Sequence, residues 1–410
     1  MSKVNFKVVL YFMFVLMIPM DENQMFAMNI AGVRITILDL LLVVMFYLVL
    51  IEILIVRGLK VGRFGFRVLL TMLLLCIVSW IGFINIPADN IIYDVKMSLN
   101  FIEFTVLILV TLFIVDSEEK LRLILIAVMI CALVIAVATT LMSLGFDIPG
   151  YVRARRMEVG PFMAGNIALM GRVLQAGLIS CLALPVVMTD DVVCSKYLKA
   201  PIVALLLLLS VLSVTRGIWI AISIQIILVI GAALLERRAS LHYRMAIVVT
   251  MTAVSIMIVQ GWNSIYSSVV NIRSETYYHR FQLIYDSLEY STASLANFLF
   301  GAGKSRFVEM YSGVMVHNYI FDILASKGFL SVLLVLYLQL SILVMLLRLT
   351  YKERPSGPIY KRRPLMFAVA LIGCNIIGMT GPIESSMAFW VVLSIICAYI
   401  NNYERQHVAV

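Results

Sequence analysis

The chain has 410 residues, 62% of them hydrophobic and only 13% charged, with a mean hydropathy of +1.03. So little charge cannot cover the surface of a soluble domain this size, which leaves a polytopic helical membrane protein with lipid as its main solvent. The formal charge of +9 does not point to nucleic acid: no basic run is interleaved with aromatics in a soluble segment, and cytoplasmic loops of multi-span proteins gather Lys and Arg.

A crossing helix needs roughly 20 apolar residues. Lys3 and Lys7 precede the first apolar run, about Val8 to Met20. No small-x-small cleavage site follows, so it reads as a retained span. A second span is predicted over about Ile35 to Val56. A basic loop (Arg57, Lys60, Arg63, Arg67) leads into a third, about Val68 to Ile84. Pro87 to Asn90 is a turn signal, followed by spans over about Ser98 to Val115 and Leu123 to Leu144. A polar stretch with Arg153, Arg155 and Arg156 comes next, then a sixth span from near Ala164 to Met188, with Arg172 in its first turns.

Spans over about Ile202 to Ser213 and Ile218 to Leu235 are joined by Ser213-Val214-Thr215-Arg216-Gly217. A ninth covers about Met245 to Trp262, and a long loop runs from about Asn263 to Val316. The apolar stretch from His317 to Leu347 is too long for one crossing. Asp322 and Lys327 sit in its first part and Gly328 divides it. It is therefore expected to form an amphipathic helix on the loop side, then a tenth span from Phe329. After a basic loop, Arg348 to Arg363, two spans remain, about Leu365 to Thr380 and Met387 to Ile400.

The expected fold is thus one all-α polytopic domain over residues 1–410, with about twelve spans and one long outer loop containing short helices. Alternation puts 20 of the 32 Lys and Arg on the loops that share the N-terminus and 12 on the other set. The positive-inside bias then places both termini in the cytoplasm and the long loop outside. The six cysteines show no metal-type spacing and read as small buried hydrophobes.

The poorer side still gathers arginines in three stretches: Arg153 to Arg172, Arg216, and Arg273 to Arg306, including Arg280. Arg216, between two apolar runs, fits a snorkelling side chain when taken alone. With the other two clusters on the same side, it fits an anion site better. Guanidinium groups match phosphate and pyrophosphate oxygens in bidentate geometry, and a pyrophosphate at the outer leaflet suggests a lipid-diphosphate carrier. His317, at the mouth of a span, either takes a proton from a sugar hydroxyl or caps a helix; Asn318 either orients that ring or binds sugar. His279 stands beside Arg280. Gly301-Ala302-Gly303-Lys304-Ser305 looks like the end of a phosphate-binding loop but has Phe298 where that motif needs glycine. Glu275, Asp286, Glu289 and Glu309 are too scattered for a metal site, so neither metal nor cofactor is expected.

Three pieces in order, within about residues 211–340, resemble the O-antigen ligase and O-antigen/exopolysaccharide polymerase superfamily. They are Thr215-Arg216-Gly217-Ile218-Trp219, then Arg280 followed by Gly301-Ala302-Gly303, and then His317-Asn318 with Gly328. The resemblance implies a GT-C-type membrane glycosyltransferase of the bacterial inner membrane. Residues 263–328 would be its periplasmic catalytic loop. It would move a glycan from undecaprenyl pyrophosphate to an acceptor hydroxyl, without metal and with inversion. Arg216 and Arg280 would neutralise the departing diphosphate, and His317 would activate or position the acceptor. Arg153, Arg155, Arg156, Arg172, Trp219, His279, Arg306 and Asn318 are further candidates for contacts with the substrates. The acceptor would be a second lipid-linked glycan or, for a ligase, lipid A-core; the short loop favours the polymerase. A chain-length regulator and a flippase would be its partners. A transporter or flippase built from repeated halves is the rival class, but the middle turn is short and the second half is not repeated in the first.

Overall fold

A computed structural model describes residues 6–20, 27–30, 33–57, 61–85, 91–143, 146, 152–153, 157–159, 162–164, 167–168, 173–190, 193–212, 216–235, 280–311, 316, 318–352, 362–381, 383 and 386–408. The helices are α1 (Phe6–Met17), α2 (Ile37–Glu52), α3 (Arg63–Ile81), α4 (Ile91–Ile114), α5 (Glu118–Ser143), α6 (Val173–Thr189), α7 (Lys196–Leu212) and α8 (Arg216–Leu235). They continue with α9 (residues 280–292), α10 (Leu295–Phe300), α11 (Lys304–Met310), α12 (Tyr319–Lys352), α13 (Arg363–Gly378) and α14 (Met387–Val408). Six of them are long and apolar enough to cross a bilayer, and five shorter apolar helices accompany them. The protein is a multi-span helical membrane protein. The expected ninth span, 245–262, lies outside the described residues.

The elements form where the local chemistry directs. Thr36 caps α2 in a capping box with Asp39, each side chain meeting the other's backbone N–H. At the bundle's centre α14 is buried almost all round, and Trp390 stacks on Phe104 of α4 at 4.9 Å between ring centroids. The rim is reversed: Leu40, Val43, Val44, Tyr47 and Ile51 of α2 and Leu73, Leu74 and Ile77 of α3 are exposed. Apolar side chains on that scale face lipid, which is no more polar than they are. All six cysteines are free and buried.

Polar contacts sort the helix ends onto two faces. On one, Lys7 of α1 pairs with Glu52 of α2, and the backbone N–H groups of Gly62 and Phe64 donate to Asn401 and Glu404 of α14. Arg363, opening α13, bridges Asp190 at 2.9 Å and also pairs with Glu118 of α5. Arg362 donates to the Thr350 carbonyl of α12 at 2.8 Å, and Asn402 to the Val115 carbonyl. This terminal face holds the start of α1 and the end of α14, as alternation requires. The other ends of α3, α4, α8, α12 and α13 meet on the opposite, loop face.

Four expectations change. The described part of the sixth span starts at Val173, not near Ala164. Phe162–Ala164 is instead a strand paired with Met157–Val159, in a stretch broken by Gly160, Pro161 and Gly165. Two further antiparallel ribbons, Ala27–Ile30 with Val33–Thr36 and Val152–Arg153 with Ile167–Ala168, join it among the described residues. Helix α4 begins at Ile91, which brings Asp94 inside it. The Tyr319–Lys327 segment is helical and breaks at Gly328 as expected, but Asp322 and Lys327 are buried against other helices rather than lying on an open surface.

Candidate functional site

The site is built on two glycines that cross. Gly301 ends α10 with φ of 80°, and Gly328 interrupts α12 with φ of 78°. A Cβ at Gly328 would fall on the backbone of Gly301 and Phe300, and one at Gly301 on Ser326 and Lys327. Only glycine tolerates both the left-handed backbone and the contact. The crossing is pinned by hydrogen bonds: Asn85 donates to the Gly301 carbonyl at 3.1 Å, and the Ala302 N–H to the Ala325 carbonyl at 3.3 Å. The Tyr290 hydroxyl of α9 lies 3.0 Å from the Ala302 carbonyl. Burial pushes the Tyr290 phenol well above its ordinary pKa, against the opposing charge of Arg306, so it remains a donor.

Beneath the crossing lies a buried charged cluster. Asp94, Lys304, Asp322 and Lys327 are each at most 4% exposed. Lys304 gives its backbone N–H to Asp94 at 2.7 Å and its ammonium to Asp322 at 2.5 Å. Ser305 donates to the other Asp94 oxygen. Lys327 donates to Ser98 at 2.5 Å, Ser79 donates to Ser98 at 2.9 Å, and the Lys327 ammonium sits over the Phe83 ring. Two acids and two bases balance, which allows so many charges to remain inside. Lys304, Asp322, Lys327 and Asn100 also line a cavity of about 20 Å³, room for one water. Sequence reasoning missed this cluster. The expected fourth span, about Ser98 to Val115, leaves Asp94 outside it, and Lys304 stands in a run read for its likeness to a phosphate-binding loop. The available signal was four ionisable residues bordering or inside apolar helices.

Two of the expected site segments, those of Arg216 and Asn318, meet at the loop-face end of α13. Arg216 opens α8, and Gly217 lies so close that a Cβ would overlap the Thr380 side chain, just past α13. Gln225 of α8 holds that approach by donating to the carbonyls of Cys181 in α6 and Val369 in α13, at 2.8 and 3.2 Å. Trp219 is half-buried on α8. Tyr319, at the start of α12, rests against Gly378, and its hydroxyl reaches Asn375 of α13 at 2.8 Å. Asn318 caps α12, its side-chain oxygen accepting from the Ile320 N–H at 3.0 Å. Arg280 starts the described part of α9, half-buried with its Nε shielded from solvent. One turn on, Leu283 shares a small core with Val316, Phe307 and Ala325. Arg306 is half-buried on α11. His317, His279, Arg155, Arg156 and Arg172 lie outside the described residues; Arg153 belongs to a ribbon strand. Among the described residues no group of three His, Cys, Asp or Glu could hold a metal ion.

No protein-family model matches the chain, and no curated protein matches it in sequence.

The fold brings Gly217, next to Arg216, and Tyr319, next to Asn318, to the end of α13, and puts Leu283, one turn after Arg280, in a core with Val316.

Proposed function

We propose that the chain is a membrane glycosyltransferase that polymerises undecaprenyl-pyrophosphate-linked oligosaccharide repeat units into O-antigen or exopolysaccharide. It works at the periplasmic face of a bacterial inner membrane, with both termini in the cytoplasm. The observation that carries this reading is the meeting at α13: Gly217 against Thr380, and Tyr319 against Gly378 and Asn375. Leu283 and Val316 join in one core. In the sequence Arg216 adjoins Gly217, Arg280 comes three residues before Leu283, and His317 stands between Val316 and Asn318, which supports assigning the three to one site.

In the proposed reaction an acceptor hydroxyl attacks the anomeric carbon of the donor glycan as the bond to the diphosphate oxygen breaks on the opposite side, inverting that centre. Arg216 and Arg280 stabilise the charge that builds on the departing diphosphate. His317 takes the hydroxyl proton. Arg153, Arg155, Arg156, Arg172, Trp219, His279, Arg306 and Asn318 are assigned to holding the two glycan chains.

The test is the full chain in proteoliposomes with a lipid-linked oligosaccharide, without ATP, ion gradient or added metal, and with a chelator present. Lengthened lipid-linked glycan is the expected product. Transfer only to lipid A-core would make it a ligase, and movement of glycolipid across the bilayer without bond formation would replace the enzyme reading with a flippase.

A further inference from the structure

Helix α9 presents three faces. Its buried face carries Leu283, Ser287, Tyr290 and Ser291, against the small core with Ala302, Phe307 and Val316. A second face carries Gln282, Asp286 and Glu289, with Gln282 bonded to Asp286 one turn away at 2.7 Å. The third carries Phe281, Tyr285 and Leu288, spaced four and three apart so that they share one stripe. They are 71%, 65% and 41% exposed. A loop helix on a water-facing domain needs two faces, one for protein and one for water. A separate apolar stripe calls for a third medium.

The surroundings identify that medium. Helix α10 follows α9 after two residues and begins with the exposed Leu295. Its Phe298 stacks at 5.0 Å on Phe329. Phe329 heads a row of exposed residues down α12, Leu333, Tyr337 and Leu340, at intervals of three and four. Phe300 lies against Gly82, at the end of the exposed row Leu73, Ile77, Trp80 and Ile81 of α3. The α9–α10 segment therefore stands at the top of two lipid-facing rows, beside the aromatic pair Trp80 and Phe83 (5.1 Å). Aromatics of this kind mark the membrane–water boundary.

We propose that α9 is an interfacial helix whose Phe281–Tyr285–Leu288 stripe is immersed in the lipid leaflet on the loop face. This sets the loop at headgroup depth. The inference concerns membrane engagement and stands whatever reaction the site performs.

The test uses the full chain in phosphatidylethanolamine/phosphatidylglycerol vesicles, with single nitroxide labels on Phe281→Cys, Tyr285→Cys, Leu288→Cys, Gln282→Cys, Asp286→Cys and Glu289→Cys. The six native cysteines are buried, which keeps background labelling low. The first three labels should be accessible to oxygen but not to a water-soluble nickel chelate, at a depth of about 5–10 Å; the last three should show the reverse. Nickel access at all six sites would overturn the proposal, as would shielding of 281, 285 and 288 from both reagents, the mark of a protein partner.

Discussion

The terminal and loop faces use charge in opposite ways. On the terminal face, pairs such as Lys120–Asp116 (2.5 Å) are partly solvated and join neighbouring turns or helix ends. On the loop face, Asp94, Lys304, Asp322 and Lys327 are sealed inside and tie α4, α11 and α12 under the glycine crossing. A solvated pair gains little over water, whereas a buried one is strongly destabilised when either partner is lost. The difference teaches which part of the molecule is held to one geometry: on the loop face the buried cluster fixes the backbone around the glycine crossing.

Four substitution sets sharpen or break this contrast, in falling order of expected effect. Arg216→Ala, Arg280→Ala and His317→Ala should each lower glycan transfer ~10²–10³-fold, with unchanged membrane insertion by protease accessibility. Arg216→Lys should fail too, since an ammonium lacks the planar fork. Lys304→Met or Asp322→Leu alone should cost about 3–5 kcal/mol in a detergent unfolding titration, and the double variant much less than the sum of the two. Gly328→Ala should cost about 2–4 kcal/mol, from left-handed strain and the overlap with Gly301. It should be detected as a lowered Tm. Lys120→Ala, on the terminal face, should cost under about 1 kcal/mol by the same titration; a cost equal to that of Lys304→Met would erase the distinction between the faces.

Much of this was legible in the sequence, for local reasons. Apolar runs marked eleven of the described helices, six of them long enough to cross a bilayer, and the alternation they imply matches the contacts that sort helix ends into two faces. Gly328 could be read as a break because an interrupting glycine has few other uses inside so apolar a run. The buried cluster was not legible. Asp94 and Lys304 are 210 residues apart, and only the folded chain brings them together; the apolar run that marks the fourth span begins only near Ser98, after Asp94. The amphipathic reading of Tyr319–Lys327 failed for the same reason, since Asp322 and Lys327 find partners that lie elsewhere in the chain. The ribbons between α5 and α6 are two or three residues per strand, too short for an alternating pattern to register.

The central claim is that the loop-face arginines hold a lipid diphosphate. Equilibrium binding of a radiolabelled polyprenyl diphosphate to the purified full chain tests it most directly. Arg216→Ala and Arg280→Ala should each raise Kd at least about tenfold, the loss of one charge-assisted hydrogen bond, while Lys120→Ala binds as the parent does. Unchanged Kd in both arginine variants would contradict the account.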